Sequence, residues 1–243
     1  MIGTFGGAAA TTERSTGAVH ARLTNAARAP GIVTCTVRRL DRGETLYAEG
    51  DAAPNAYLLL EGVLRVLAPT ATGKTRLADF AGPGDLVATA VFEGLPHGET
   101  VVAADSAKVA QVDLSATLGR PAGRLGVGAA LVTQLNRSRE LADDLGLPMG
   151  ARICRILARL ARRLGRDCDG PQLSGGVDPG WRRLPFSLTH DDVALMAGCA
   201  RVTATRVLGE LKASGALIGH RGDYALVPSA LDAAADEYVY ESI

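Results

Sequence analysis

The sequence predicts an α+β chain in three consecutive parts. These are a small antiparallel β-sandwich or barrel, a long amphipathic helix, and a C-terminal unit of helix, tight turn, helix and hairpin. Three observations carry this. Short β-prone runs alternate with Gly, Asp and Pro breaks over residues 32–115. An apolar stripe at helical spacing follows over 123–147. Residues 189–208 then read as one short helix, a glycine turn and a second helix.

Composition sets the bounds. The chain has 243 residues, 47% of them apolar and 4% aromatic, so its cores are built from Leu, Val and Ala. Formal net charge is zero, which on its own argues against a nucleic-acid partner, but the distribution corrects this. Residues 148–228 carry 12 Lys/Arg against 7 Asp/Glu, residues 1–147 carry 14 against 15, and the last 15 residues carry none against 4. No apolar run approaches the length of a membrane span, and the N-terminus lacks the basic and apolar blocks of a signal peptide. A cytoplasmic protein with no membrane partner is expected. Cys35, Cys154, Cys168 and Cys199 are widely spaced and offer no metal framework. Cys154 and Cys199 sit among apolar helical neighbours and read as buried thiols.

Taken in order, residues 1–31 lack periodicity and predict a flexible segment with a short helix near 19–29. Strands are expected at 32–37, 45–47, 56–60, 63–68, 75–80, 86–88, 100–103 and 108–112. Turns fall at Asp41-Arg42-Gly43, Gly50-Asp51, Glu61-Gly62, Thr72-Gly73, Gly82-Pro83-Gly84-Asp85 and His97-Gly98. In the long helix, Leu125, Val132, Leu135 and Ala142 share one stripe, with Leu131 and Leu145 beside it, a face suited to a twin helix or to its own domain. Pro148 and Gly150 predict a hinge. Residues 152–164 form a basic amphipathic helix with Ile153, Ile156, Leu157 and Leu160 inside. A Gly/Pro/Asp loop covers 165–182, and a strand is expected at 183–188.

The next unit carries the chemistry. Thr189 is placed as an N-cap with Asp192 three residues on, and Gly198 supplies the turn. The second helix is expected to bury Val202, Val207, Leu208 and Leu211 while Arg201, Thr203, Thr205 and Arg206 point outward. Gly215 closes it, and residues 216–220 and 224–227 flank Arg221-Gly222-Asp223 as a β-hairpin. An apolar back with forked donors near a helix N-terminus suits reading of double-stranded DNA in the major groove. An ordinary αα-hairpin with a solvated face is the alternative. The clustering of two arginines, two threonines and a basic hairpin in one short unit weighs against it.

In that order the parts resemble the CRP/FNR family of bacterial transcription regulators, over roughly residues 32–230. Gly43-Glu44-Thr45-Leu46-Tyr47-Ala48-Glu49-Gly50-Asp51, Tyr57-Leu58-Leu59-Leu60-Glu61-Gly62 and Gly82-Pro83-Gly84-Asp85-Leu86-Val87 are similar to that family's cyclic-nucleotide-binding fold. The resemblance implies a flexible segment at 1–31, and a β-roll effector domain at 32–122 with a cyclic-nucleotide-binding-like jelly roll. It further implies a dimerisation helix at 123–147 and a winged helix-turn-helix at 148–243. The implied protein is a homodimer on a near-palindromic promoter site. Arg201 and Arg206 would read guanine, with Thr203 and Thr205 assisting. Thr189, His190, Lys212 and His220 would touch phosphates. RNA polymerase would be met through a loop at 168–182. The second helix looks most like that of the cyanobacterial nitrogen regulators of the family, with Val202 where the cyclic-AMP receptor has glutamate.

Departures from the family pattern are informative. Cyclic-AMP-responsive members carry Gly-Glu and Arg-Ser where this chain has Ala88-Thr89 and His97-Gly98. An effector pocket would draw on Leu86, Val87, Ala88, Thr89, His97, Thr100, Arg137 and Ser138, without the arginine that holds a cyclic phosphate. Arg137 either meets an acidic ligand or is solvated, the second being the commoner fate of an arginine. His97 and His20 are candidate haem ligands, although a surface histidine is the plainer reading, and Cys35 alone cannot hold an iron–sulfur cluster. The effector, if there is one, is left unnamed. A haem- or redox-sensing regulator and a ligand-binding module without DNA remain the rivals. No catalytic constellation stands out, so an enzyme is not expected.

Overall fold

The computed structural model describes residues 31–171 and 180–241. The segment expected to be flexible, its helix near 19–29 and His20 therefore lie outside the described residues, Gly31 apart.

Eight strands build the first part: β1 (Thr34–Leu40), β2 (Thr45–Tyr47), β3 (Tyr57–Glu61), β4 (Leu64–Pro69), β5 (Thr75–Ala81), β6 (Leu86–Val87), β7 (Thr100–Ala103) and β8 (Ala107–Val112). They form two antiparallel sheets, ordered β1-β8-β3-β6 and β2-β7-β4-β5. Alternation drives the packing. Leu40, Leu59 and Val109 from one sheet meet Leu64, Val66, Val101 and Ala103 from the other in a shared core. A single 3-10 turn, Thr89–Phe92, links β6 towards β7.

Helix α1 (Leu114–Leu118) starts where the Asp113 carboxylate accepts the Ala116 N–H at 2.8 Å. Helix α2 (Pro121–Asp143) begins on a proline at its first turn. It is shorter than the 123–147 stretch read from sequence, because residues Asp144–Gly146 tighten into a 3-10 turn. Val127 and Ala130 of α2 pack against Ala56, Leu58, Leu86 and Val112. Its apolar stripe faces away from the roll: Leu125 is 75% exposed, and Val132 and Leu135 are exposed with it.

Helix α3 (Met149–Leu164) buries Ile153, Ile156, Leu157 and Leu160, as their spacing predicts. Gly150 does not break the chain. It lies inside α3, where the Tyr238 ring sits so close that a Cβ would fall 2.5 Å from it. The hinge is instead held by Arg152, whose guanidinium donates to the carbonyls of Asp144 (3.2 Å), Leu145 (2.5 Å) and Ala197 (2.9 Å).

The last part contains β9 (Arg166–Asp167), β10 (Arg182–Arg183), α4 (His190–Ala197), α5 (Arg201–Ala213), β11 (Leu217–His220), β12 (Asp223–Leu226) and α6 (Pro228–Tyr240). Its sheet runs β11-β12-β10-β9. The strand expected at 183–188 reduces to two residues. Pro185 lacks the N–H a longer ladder needs, and only the Leu184 and Leu188 amides continue to bond the hairpin. Helix α6 has no counterpart in the sequence reading. It begins on Pro228 and buries Leu231 and Ala235 in the core around α3.

That core joins the roll to the C-terminal part. Val63, Leu77 and Phe80 of the roll pack with the buried residues of α3, α4 and α5 in one continuous cluster, and Phe80 meets Phe186 at 4.5 Å.

Candidate functional site

Helix α4 starts on a complete capping box. The Thr189 hydroxyl accepts the Asp192 N–H at 3.0 Å, and the Asp192 carboxylate accepts the Thr189 N–H at 2.9 Å. Asp192 faces the roll as well. Arg65 of β4 donates to both its oxygens, at 2.9 and 2.8 Å, and to the Ser187 carbonyl at 3.1 Å. Burial pushes the Asp192 carboxyl up, but its bonds from Arg65 and Thr189 outweigh this and hold it below the usual aspartate value.

Gly198 closes α4 at φ 70°, a left-handed value that a Cβ disfavours. The chain re-enters helix at Arg201. Ala204, Val207, Leu208 and Leu211 form the buried back of α5. Val202 does not join them: it is 75% exposed. The reason is angular. Residue 204 precedes 207, 208 and 211 by three, four and seven, so all four share one face, whereas 202 sits five before 207 and falls well outside it. Arg201, Val202, Thr205 and Arg206 therefore stand together in solvent, with Thr203 half-buried beside them.

Their present partners are replaceable. The Arg201 guanidinium lies 3.5 Å from Asp191, and Arg206 donates to Glu210 at 2.5 Å across one helical turn. Glu210 also accepts from the Tyr238 hydroxyl of α6. Of the residues expected to touch phosphate, Thr189 is committed to the cap and His190 to a bridge. The His190 Nδ1 meets the Thr205 hydroxyl at 2.8 Å and its Nε2 the Tyr224 hydroxyl at 3.1 Å. Burial, then Lys212 and Arg201, hold His190 below the ordinary histidine pKa. Lys212 places its ammonium 5.1 Å from the Tyr224 ring centroid, and His220 is exposed at the end of β11. The hairpin turns through Arg221 and Gly222, at φ 53° and 88°, the paired positive values of a type I′ turn.

The roll presents a second site. Leu86, Val87 and Ala88 are buried, Thr89 and Thr100 half-buried, and Ser138 exposed. Ala88 adopts φ 63° and ψ 43°, a left-handed conformation rare without glycine, and donates its N–H to the Tyr47 hydroxyl at 3.0 Å. The Thr100 hydroxyl accepts the Glu49 N–H at 3.0 Å. His97 is not a surface residue. It is 4% exposed and stacks on the Tyr47 ring at 3.8 Å, and burial holds its pKa low. The Tyr47 hydroxyl donates to Glu99 at 2.8 Å. Nor is Arg137 solvated: it forks onto Asp85 at 2.9 and 2.7 Å, with Asp79 at 3.7 Å. Sequence reasoning missed Tyr47, Asp85 and Glu99. Glu99 carried a signal, since it holds a charge on the inward phase shared by Val101 and Ala103.

With this geometry in hand, two families match the chain. The cyclic nucleotide-binding domain covers residues 37–119 and the Crp-like helix-turn-helix domain residues 151–231. The chain belongs to the CRP/FNR family of transcription regulators. It is 24% identical over 187 residues to a CRP-like cAMP-activated global transcriptional regulator of Mycobacterium tuberculosis, covering 74% of this chain and 76% of that one. It is 28% identical over 197 residues to the transcriptional regulator LdrP of Thermus thermophilus, covering 81% and 95%. A CRP-family transcriptional regulator solved from Thermus thermophilus shares the fold, with a TM-score of 0.66 at 23% identity over 83% of this chain and 98% of that one. As a CRP/FNR regulator, the chain uses its helix-turn-helix to bind DNA. Among the described residues, no helix is long and apolar enough to cross a membrane.

Proposed function

We propose that this regulator works in the cytoplasm as a homodimer and binds a near-palindromic promoter site without cyclic AMP. The pairing surface is α2. Leu125, Val132 and Leu135 recur at heptad-like intervals on its solvent side, and an apolar stripe of this kind is stable when a twin covers it. The domain limits at residues 32, 123 and 148 follow from that reading.

The observation that carries the DNA reading is the outward group on α5: two arginines and two threonines on a helix whose back is fully buried. Arg201 and Arg206 read guanine O6 and N7, Thr203 and Thr205 add methyl or phosphate contacts, and Thr189, His190, Lys212 and His220 lie along the backbone path. Val202 is exposed among them and offers apolar contact to a thymine methyl, a preference of the cyanobacterial nitrogen-regulator kind. RNA polymerase is met through the loop at 168–182, of which 172–179 lie outside the described residues.

Cyclic AMP independence rests on the cavity. Of the arginines lining the cavity, Arg137 is forked onto Asp85 and Arg152 is spent on hinge carbonyls, and Arg76 shares the space with Glu99, whose negative charge opposes a phosphate. Selection from random duplex with ligand-free protein tests the whole reading. An inverted repeat with half-sites about one helical turn apart is expected. A requirement for cyclic AMP, or a single unrepeated half-site, would overturn it.

A further inference from the structure

A cavity of about 610 Å³ lies between the roll, α2 and the turn of the helix-turn-helix. Most of the charges that line it are consumed inside the chain. Asp85 takes Arg137, Asp79 takes Arg163 at 2.7 Å, and Asp144 takes Arg159. Arg152 is spent on the carbonyls of the hinge. Two lining charges remain. Among the described residues, Glu99 accepts only the Tyr47 hydroxyl, and Arg76 has no hydrogen-bond or ion-pair partner for its side chain.

The sheet register sets these two in relation. Arg76 of β5 lies opposite Ala68 of β4, and Thr100, the first residue of β7, lies opposite Leu67; Glu99 immediately precedes β7, so extending that register by one residue brings it alongside Ala68 from the other side. The two residues are two strand spacings apart, about 10 Å between Cα atoms. Both line the cavity together with Val66. Ala68 contributes only a methyl group between them, so the space is open.

We propose that this cavity binds a small zwitterion, an amino-acid-like molecule whose ammonium group meets Glu99 and whose carboxylate meets Arg76. A lone anion would satisfy Arg76 and face Glu99. A lone cation would do the reverse. A dipolar ligand satisfies both, and an arginine fork is matched to a carboxylate. This assignment rests on the reading of the roll as the effector domain.

The test uses the full-length dimer in titration calorimetry with each uncharged proteinogenic L-amino acid and γ-aminobutyrate, and with acetate and ethylamine as single-charge controls. At least one zwitterion is expected to saturate one site per protomer, at concentrations where neither control binds. Glu99→Gln keeps an oxygen for the Tyr47 hydroxyl and so preserves the fold; it and Arg76→Gln should each weaken binding by about tenfold or more. Arg76→Glu leaves two carboxylates and should shift preference to putrescine. No binding by any zwitterion, or binding unchanged in both glutamine variants, overturns the proposal. A gel shift on the same preparation keeps the two readings apart. Specific DNA binding without zwitterion binding removes this inference alone, whereas lost specific DNA binding removes the reading above.

Discussion

Arginines in two regions of this molecule do opposite work. Arg201 and Arg206 on α5 are 68% and 61% exposed, with one long or one local carboxylate partner each. Arg65, Arg137 and Arg163, between the roll and the helices, are 16%, 17% and 18% exposed, and each forks onto an aspartate. Residue type is the same; burial differs. An exposed pair contributes little and is readily exchanged for a phosphate or a base. A buried pair is costly to split, because the abandoned charge has no water to turn to. The outer arginines are therefore available to DNA, and the inner ones fix how the domains sit.

The largest effect should come from splitting an inner pair. Arg65→Ala leaves Asp192 buried without its fork and should cost about 3–5 kcal/mol of unfolding free energy in a denaturant titration. A loss no larger than that of an exposed arginine would erase the contrast. Replacing both partners with apolar residues, Arg65→Met with Asp192→Leu, should recover much of the stability, less the lost cap.

Next in size is an outer arginine. Arg206→Ala should leave the unfolding midpoint nearly unchanged and remove about 1–3 kcal/mol of discrimination between specific and random duplex. Unaltered discrimination in competition gel shifts would show that Arg206 does not read a base.

Two smaller effects follow from titration. Asp192 has its folded pKa below the ordinary 3.8, so its contribution is present above that value and is lost as pH falls through the lower folded value. His190 has its folded pKa below the ordinary 6.5. Protonation is then favoured in the unfolded chain, and stability declines as pH falls below 6.5. His190→Gln should reduce the slope of the stability profile below pH 6.5, leaving the share that belongs to His97 and the acid limb below 3.8 that belongs to Asp192. Thermal melts across pH measure both. The smallest effect is Glu210→Ala, which frees Arg206 and should tighten non-specific DNA binding by less than about 1 kcal/mol.

Much of the fold was legible because its signals are local. Period-two runs between glycine turns located the strands to within a few residues, and Thr189, Asp192 and Gly198 announced their helix ends by chemistry that operates over three or four positions. What escaped was set at long range. The pairing of Arg137 with Asp85 spans 52 residues and the fork of Arg65 on Asp192 spans 127, and no spacing rule links either pair. His97 reads as a surface residue in the sequence because a Pro/Gly-flanked histidine sits in turn-like surroundings; its stacking on Tyr47 is a tertiary fact. Helix α6 escaped for another reason. Its alanines give little apolar contrast, and its burial comes from packing on α3. Val202 was recoverable from helical angle alone.

Asp192 belongs to two structures at once: it caps the start of the first helix of the DNA-binding unit and receives a side chain from the roll, 127 residues earlier. A fragment cut at the hinge would keep the motif but strip that carboxylate of its counter-ion and uncover the faces that met Leu77 and Phe80. The unit is thus not a transplantable cassette. A chimera that grafts it onto another regulator's sensor should misfold or aggregate unless the recipient supplies an arginine at the place of Arg65 and an aromatic at the place of Phe80.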